Sequence, residues 1–121
     1  MVKVNAVILA GHGEDSRTLI YGEDKIFLKY ENKTLAEKVA EAVSSSENIF
    51  DFRIVGCKDK LEKVLNGKYP IVDQVGSFVE NAMAGYDSMI DNGRYTLFIC
   101  GDLPYASAKA IDYLLNRING D

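Results

Sequence analysis

Val4-Asn5-Ala6-Val7-Ile8-Leu9, followed at once by Ala10-Gly11-His12-Gly13, decides the fold class. Apart from Asn5 the run is continuously apolar rather than alternating, the pattern of a strand covered on both faces, and the glycines close it. Three shorter β-rich runs follow along the chain: Phe52 to Val55 before Gly56, Ile71 and Val72 after Pro70, and Tyr95 to Cys100 before Gly101. Helical spacing fills the gaps, through Leu35, Val39, Ala42 and Val43, then a weaker set at Leu61, Val64 and Leu65. It returns at Phe78, Ala82, Met83, Tyr86, Met89 and Ile90, and finally at Ile111, Leu114, Leu115 and Ile118. Strand alternating with helix predicts an α/β fold: a mostly parallel sheet, right-handed crossovers and helices on both faces. Such sheets take ligands at the carboxyl ends of their strands.

Helix starts are legible locally. Thr34-x-x-Glu37 and Ser77-x-x-Glu80 both match the capping box, in which hydroxyl and carboxylate reciprocally satisfy amides that the helix leaves unpaired, and Ser107 is placed to cap the last helix. The longest irregular stretch runs from Gly11 to Lys33, too long for an ordinary strand-to-helix loop, and long structured loops in compact domains tend to be functional.

The chain has 121 residues, with 47% hydrophobic and 26% charged, and reads as a single domain over residues 1–121. About two-thirds of the unfolded surface is buried at this length, enough for one core. Fourteen Lys and Arg against eighteen Asp and Glu give a net charge of −4, which argues against a nucleic-acid partner or a membrane surface, since either would need a basic face. No apolar run approaches the ~20 residues that span a bilayer, and the run from Ala6 to Ala10 is too short for a secretory signal. Cys57 and Cys100 both follow β-like runs and read as reduced thiols of a cytoplasmic protein. The single His and two Cys form no metal-ligand spacing.

Chemistry concentrates in three segments. Leu9-Ala10-Gly11-His12-Gly13 leads to Arg17 and then to Lys25 and Lys29; glycines let backbone amides approach an anion, and the cations can neutralise a polyphosphate. This is neither a Walker A motif nor a complete G-x-G-x-x-G, and the bare alternative is a tight turn. Asp102, in Gly101-Asp102-Leu103-Pro104, follows the fourth apolar strand, where a carboxylate could hold a hard divalent cation against phosphate oxygens; its alternative is a turn Asp before a Pro-led helix. The third segment is Asp73 to Asn81, where Ser77 is most simply an N-cap and Asn81 a helix-surface amide.

Together and in this order, these segments resemble the amino-terminal part of the MobA-like, or molybdenum-cofactor-guanylyltransferase-like, NTP transferases. In that family a glycine-rich L-A-G-G-x-x-x-R loop, a nearby Lys and a G-D-x-P strand end recur. The matching positions are Leu9-Ala10-Gly11, Arg17, Lys25, Lys33-Thr34-Leu35, Gly76-Ser77 with Glu80-Asn81, and Gly101-Asp102-Leu103-Pro104. The resemblance implies a Rossmann-like three-layer αβα fold with strand order 3-2-1-4, shortened relative to the full nucleotide-diphospho-sugar-transferase-like fold. It implies that Leu9, Ala10, Gly11, His12 and Gly13 hold the phosphates of an NTP substrate. Arg17 and Lys25 would stabilise charge on the triphosphate and on departing pyrophosphate, and Asp102 would bind Mg²⁺. Gly76, Ser77 and Asn81 would lie against base and ribose. The implied reaction is attack of a small-molecule acceptor's phosphate or hydroxyl on the α-phosphorus. Positioning and charge neutralisation suffice for it without a protein nucleophile.

Two departures qualify the resemblance. His12 stands where the family has a second Gly, and the interval from Gly11 to Arg17 is one residue longer than the common form. Family members also continue past this point with a second metal-binding Asp, an acceptor pocket and further strands. Two readings therefore stand: a nucleotidyltransferase or its NTP-binding half, and a noncatalytic nucleotide-binding or interaction module of the same fold. A receiver-like domain fits less well, because it wants an acidic cluster after the first strand. With order 3-2-1-4 the fourth strand, Thr96 to Cys100, becomes an apolar edge with neither Pro nor inward charge, so self-association through it, or origin as a fragment of a longer protein, is expected. Cys57 and Cys100 would then lie about two strand spacings apart, roughly 9–10 Å, which is too far for a disulfide.

Overall fold

A computed structural model describes residues 3–10, 19–20, 23–24, 29–30, 32–91, 93–100 and 108–120. The elements are β1 (Val4–Leu9), β2 (Leu19–Ile20), β3 (Glu23–Asp24), β4 (Lys29–Tyr30), β5 (Lys33–Thr34) and α1 (Leu35–Ser45). They continue with β6 (Ile49–Gly56), α2 (Lys58–Leu65), β7 (Ile71–Asp73), α3 (Phe78–Asp87), β8 (Thr96–Cys100) and α4 (Ala108–Gly120).

The main sheet is all-parallel in the order β7-β6-β1-β8, which is 3-2-1-4 when its four strands are numbered along the chain. β1 is central, and five of its six residues are buried, as a continuous apolar run requires. On one face Val4, Ala6, Ile8, Ile54 and Ile99 pack with α1 (Val39, Ala40, Val43), α2 (Leu61, Leu65) and α4 (Ile111, Leu115). The other face carries a smaller cluster of Val7, Val55 and Met89, flanked by Leu9 and Val72, beneath α3. β8 pairs with β1 alone among the described strands, and Phe98 on it is 45% exposed. β6 and β8 flank β1, so the strand bearing Cys100 and the strand leading to Cys57 are separated by a third; Cys57 is a free thiol.

The stretch expected to be irregular between Gly11 and Lys33 contains two short antiparallel ladders, β2 with β3 and β4 with β5. Asn32, at φ 71°, supplies the left-handed residue that lets β4 turn tightly into β5. Lys33 sits on β5, just before α1. It still reaches that helix, because its Nζ lies 2.8 Å from Glu41 and its pKa is raised by that bond. Tyr69 stacks at a tilt on Phe52, 6.1 Å between ring centroids, and covers the core; Tyr21 and the side chain of Tyr30 lie outside the described residues.

Both capping boxes form. Thr34 Oγ1 accepts from Glu37 N and Ser77 Oγ from Glu80 N, each with the reciprocal carboxylate bond. The apolar periodicity of α3 is borne out in part. Met89 is buried and Ala82 and Tyr86 are half-buried, but Phe78, Met83 and, just past the helix, Ile90 are exposed, while Asn81 and Gly85 face inward. The cause is proximity: a Cβ on Gly85 would stand 2.7 Å from Val7 Cγ1 and 2.9 Å from Val55 Cγ2, so only a small residue lets the helix lie this close to the sheet.

α4 is tied to the rest of the fold by Asp112. Its carboxylate accepts from the Ser46 hydroxyl and, at 2.8 Å, from Asn48 Nδ2, both on buried residues of the α1–β6 turn. The Ser46 bond is the largest influence on Asp112; with Asn48 and the amides of Glu47 and Asn48 it outweighs desolvation and holds the carboxyl below its ordinary value of 3.8. A depressed folded-state pKa stabilises above the unfolded value, and that contribution is lost as pH falls through the folded one. Asp112→Ala should therefore cost about 1–3 kcal/mol at neutral pH by leaving Ser46 and Asn48 donors without an acceptor. The deficit relative to the parent should hold from pH 7 down to the ordinary carboxylate value of 3.8 and shrink only as urea titrations go below it. A deficit independent of pH would rule out the carboxylate as its source.

Candidate functional site

The strand registers bring the carboxyl ends of the sheet together: Leu9 pairs with Val55 and with Cys100, and Gly56 pairs with Asp73. Ala10 continues from β1, 1% exposed, with its N–H donating to Val55 O at 2.8 Å. Half-buried Leu9 and buried Ala10 thus form a fixed base for the segment that begins at Gly11. Gly11, His12, Gly13, Arg17, Lys25 and Asp102 lie outside the described residues. Among the described residues no three His, Cys, Asp or Glu side chains gather as a metal site.

Beside β1, the turn after β7 is built in detail. Gln74 N donates to Gly56 O at 2.8 Å, tying the turn to β6. Asp73 Oδ1 accepts from Lys58 N at 3.2 Å and so caps α2, whose own N-cap residue, Cys57, makes no side-chain cap bond. Asn81 differs most from expectation. Instead of a surface amide it is 6% exposed, and its Oδ1 accepts from Val75 N at 2.7 Å and from Gly76 N at 3.1 Å. Its Nδ2 returns to Gly76 O at 3.4 Å. Three polar contacts lock Asn81 to the turn, so its described role is to shape the path of Val75 and Gly76.

Ser77 is exposed, its hydroxyl taken by Glu80 N and its amide by Glu80 Oε1 at 3.2 Å. A Cβ at Gly76 would fall 2.9 Å from that same carboxylate oxygen. The N–H groups of Val75, Gly76, Ser77 and Glu80 are therefore all satisfied internally, with a carboxylate among their acceptors. This helix start is poorly suited to a phosphate, in contrast to an open N-terminus. Burial of Asn81 had one available signal: the i, i+4, i+8 spacing of Asn81, Gly85 and Met89.

The MobA-like NTP transferase domain model matches residues 6–121. The chain belongs to the MobA-like NTP transferase family. Solved structures agree on the fold. A nucleotidyl transferase from Methanothermobacter thermautotroptrophicus superposes with a TM-score of 0.74 at 18% identity, covering 92% of this chain and 56% of that one. A 4-diphosphocytidyl-2C-methyl-D-erythritol synthase from Anaerococcus prevotii gives 0.72 at 16% identity, covering 99% and 52%. A CMP:2-keto-3-deoxy-manno-octonic acid synthetase complexed with CTP gives 0.73 at 15% identity, covering 98% and 48%. This MobA-like chain thus spans about half the length of these structures. No curated protein sequence matches it. No helix among the described residues of this MobA-like domain is long and apolar enough to cross a membrane.

Proposed function

We propose that the chain binds a nucleoside triphosphate and Mg²⁺ and is a nucleotidyltransferase, or the nucleotide-binding half of one. An oxygen of an acceptor phosphate or hydroxyl would bond to the α-phosphorus while the bond from the α-phosphorus to the bridging oxygen breaks, releasing pyrophosphate. The observation that carries this reading is the family match over residues 6–121 together with a sheet that brings the exits of β1, β7 and β8 to one end. In this reading Leu9 to Gly13 cradle the phosphates, Arg17 and Lys25 neutralise the triphosphate, and Gly76 and Ser77 meet the base or ribose, with Asn81 holding that turn in shape. Asp102, two residues past β8, would hold Mg²⁺, whose contribution is charge neutralisation on phosphate oxygens. A cytoplasmic location belongs to the same reading. So does pairing of two chains through the β8 edge.

The test incubates the protein with each NTP, Mg²⁺ and candidate phosphate and hydroxyl acceptors, and measures pyrophosphate beside calorimetric binding. Binding of at least one NTP with pyrophosphate release is the expected result. Binding without release supports the second reading, a noncatalytic nucleotide-binding module. No binding of any NTP at millimolar concentration overturns both.

A further inference from the structure

Gly56, the last residue of β6, was not among the candidate residues, yet it meets both Ala10 and the turn after β7. A Cβ built on it would lie 2.9 Å from the carbonyl carbon and 2.9 Å from the oxygen of Ala10, and 2.7 Å from Leu61 Cδ1. Leu61 can give way by rotating a flexible end. Ala10 cannot, because the contact is with its backbone, its side chain is buried and its amide is bonded to Val55 O. On the other side, Gly56 O accepts from Gln74 N at 2.8 Å and Gly56 pairs with Asp73. One residue without a side chain therefore sets how closely the exit of β1 approaches β6, while its carbonyl anchors the turn after β7.

We propose that Gly56 is a positioning residue that sets the spacing between Ala10, at the exit of β1, and the Gly76–Ser77 turn, and thereby the affinity for a nucleoside triphosphate. The proposal rests on the nucleotide-binding reading above. A methyl group at position 56 pushes the Ala10 backbone outward. Each hydrogen bond to the ligand lost through such a displacement costs up to about tenfold in affinity.

The experiment compares NTP affinity by calorimetry and thermal midpoint for the parent, Gly56→Ala, Gly56→Ala with Leu61→Val, and Asp112→Ala. Asp112 holds the α1–β6 turn, at the opposite end of β6 from Gly56. Asp112→Ala should lower the midpoint and, below that midpoint, bind NTP as the parent does. Gly56→Ala should bind NTP about tenfold more weakly. In the double variant the Leu61 Cδ1 contact is gone while the Ala10 backbone contact remains, so stability should recover only in part and affinity should not. This variant also serves if Gly56→Ala alone does not fold. If the double variant recovers parental affinity, or if Gly56→Ala binds as the parent does, the positioning role is overturned while the nucleotide reading stands. A parent that binds no NTP overturns the nucleotide reading and the proposal with it.

Discussion

Asn5→Asp should destabilise the protein by at least about 3 kcal/mol, in the range of an uncompensated buried charge, and should leave it largely unfolded at physiological temperature if its total stability is ordinary. Asn5 is 0% exposed on the central strand, between Asp51 on β6 and Thr96 on β8. Its Nδ2 donates to Asp91 O at 2.8 Å, across 86 positions of sequence, and so holds down the turn that leads from α3 into β8. Its Oδ1 is buried with no hydrogen-bond partner among the described residues. A carboxylate in this position loses the one donor and gains a charge that nothing nearby is placed to receive.

The neighbourhood aggravates the change. Burial would raise the pKa of Asp51, but Arg53 and the amides of Ile90 and Phe52 outweigh it and keep the group below its ordinary range, so a negative charge already sits in the adjoining register position. Arg53, at 2.6 Å from Asp51, is already committed to it and to the carbonyls of Phe52 and Ser88. Arg94 Nε stands 3.1 Å from Asp91 Oδ2 as an ion pair, out of line for a hydrogen bond, with its guanidinium over the Phe50 ring. Neither cation is free to pair with a new carboxylate. Asn5→Leu, in contrast, removes the unpartnered acceptor along with the donor and leaves only the Asp91 carbonyl to be satisfied, so its cost should be well below that of Asn5→Asp. Urea midpoints of the two variants at pH 7 decide the matter; equal midpoints would mean that Asn5 is far better solvated than its burial indicates.

Asn5 also illustrates what a sequence can and cannot disclose. That β1 is a doubly covered strand was legible, because its five apolar residues require burial on both faces whatever the details. The starts of α1 and α3 were legible because a capping box is complete within four residues. The role of Asn5 was not, because its partner carbonyl is brought to it only by the finished fold. The same holds for α3: apolar spacing selected Phe78 and Met83, while close approach to Val7 and Val55 selected Gly85 and Asn81. Periodicity reports which faces could be buried, and tertiary distance decides which one is. At the candidate site, Gly76 and Ser77 were found by motif, whereas the bonds that organise them come from Asn81, read as a surface residue, and the cap on α2 comes from Asp73, fifteen positions past its partner amide.

Asp102→Ala and Lys25→Ala should each weaken NTP binding by about tenfold to a thousandfold, and the two should differ in how Mg²⁺ enters. If Lys25 acts on the phosphates as a charge, its removal weakens every NTP by a similar factor, with or without Mg²⁺, and the loss is smaller at high salt, where the lysine contributes less. If Asp102 holds the cation, its removal instead abolishes the difference between affinities measured with Mg²⁺ and with a chelator. Neither change should alter the ranking of the four bases, because both groups would act on phosphate. A change of ranking is expected instead at Ser77, whose turn has its amides bonded internally and so offers a ligand little attraction for charge. Calorimetry across the four NTPs, with and without Mg²⁺, separates these outcomes in one set of titrations. If neither Asp102→Ala nor Lys25→Ala weakens Mg²⁺–NTP binding, the phosphate site lies elsewhere than at the exits of β1 and β8.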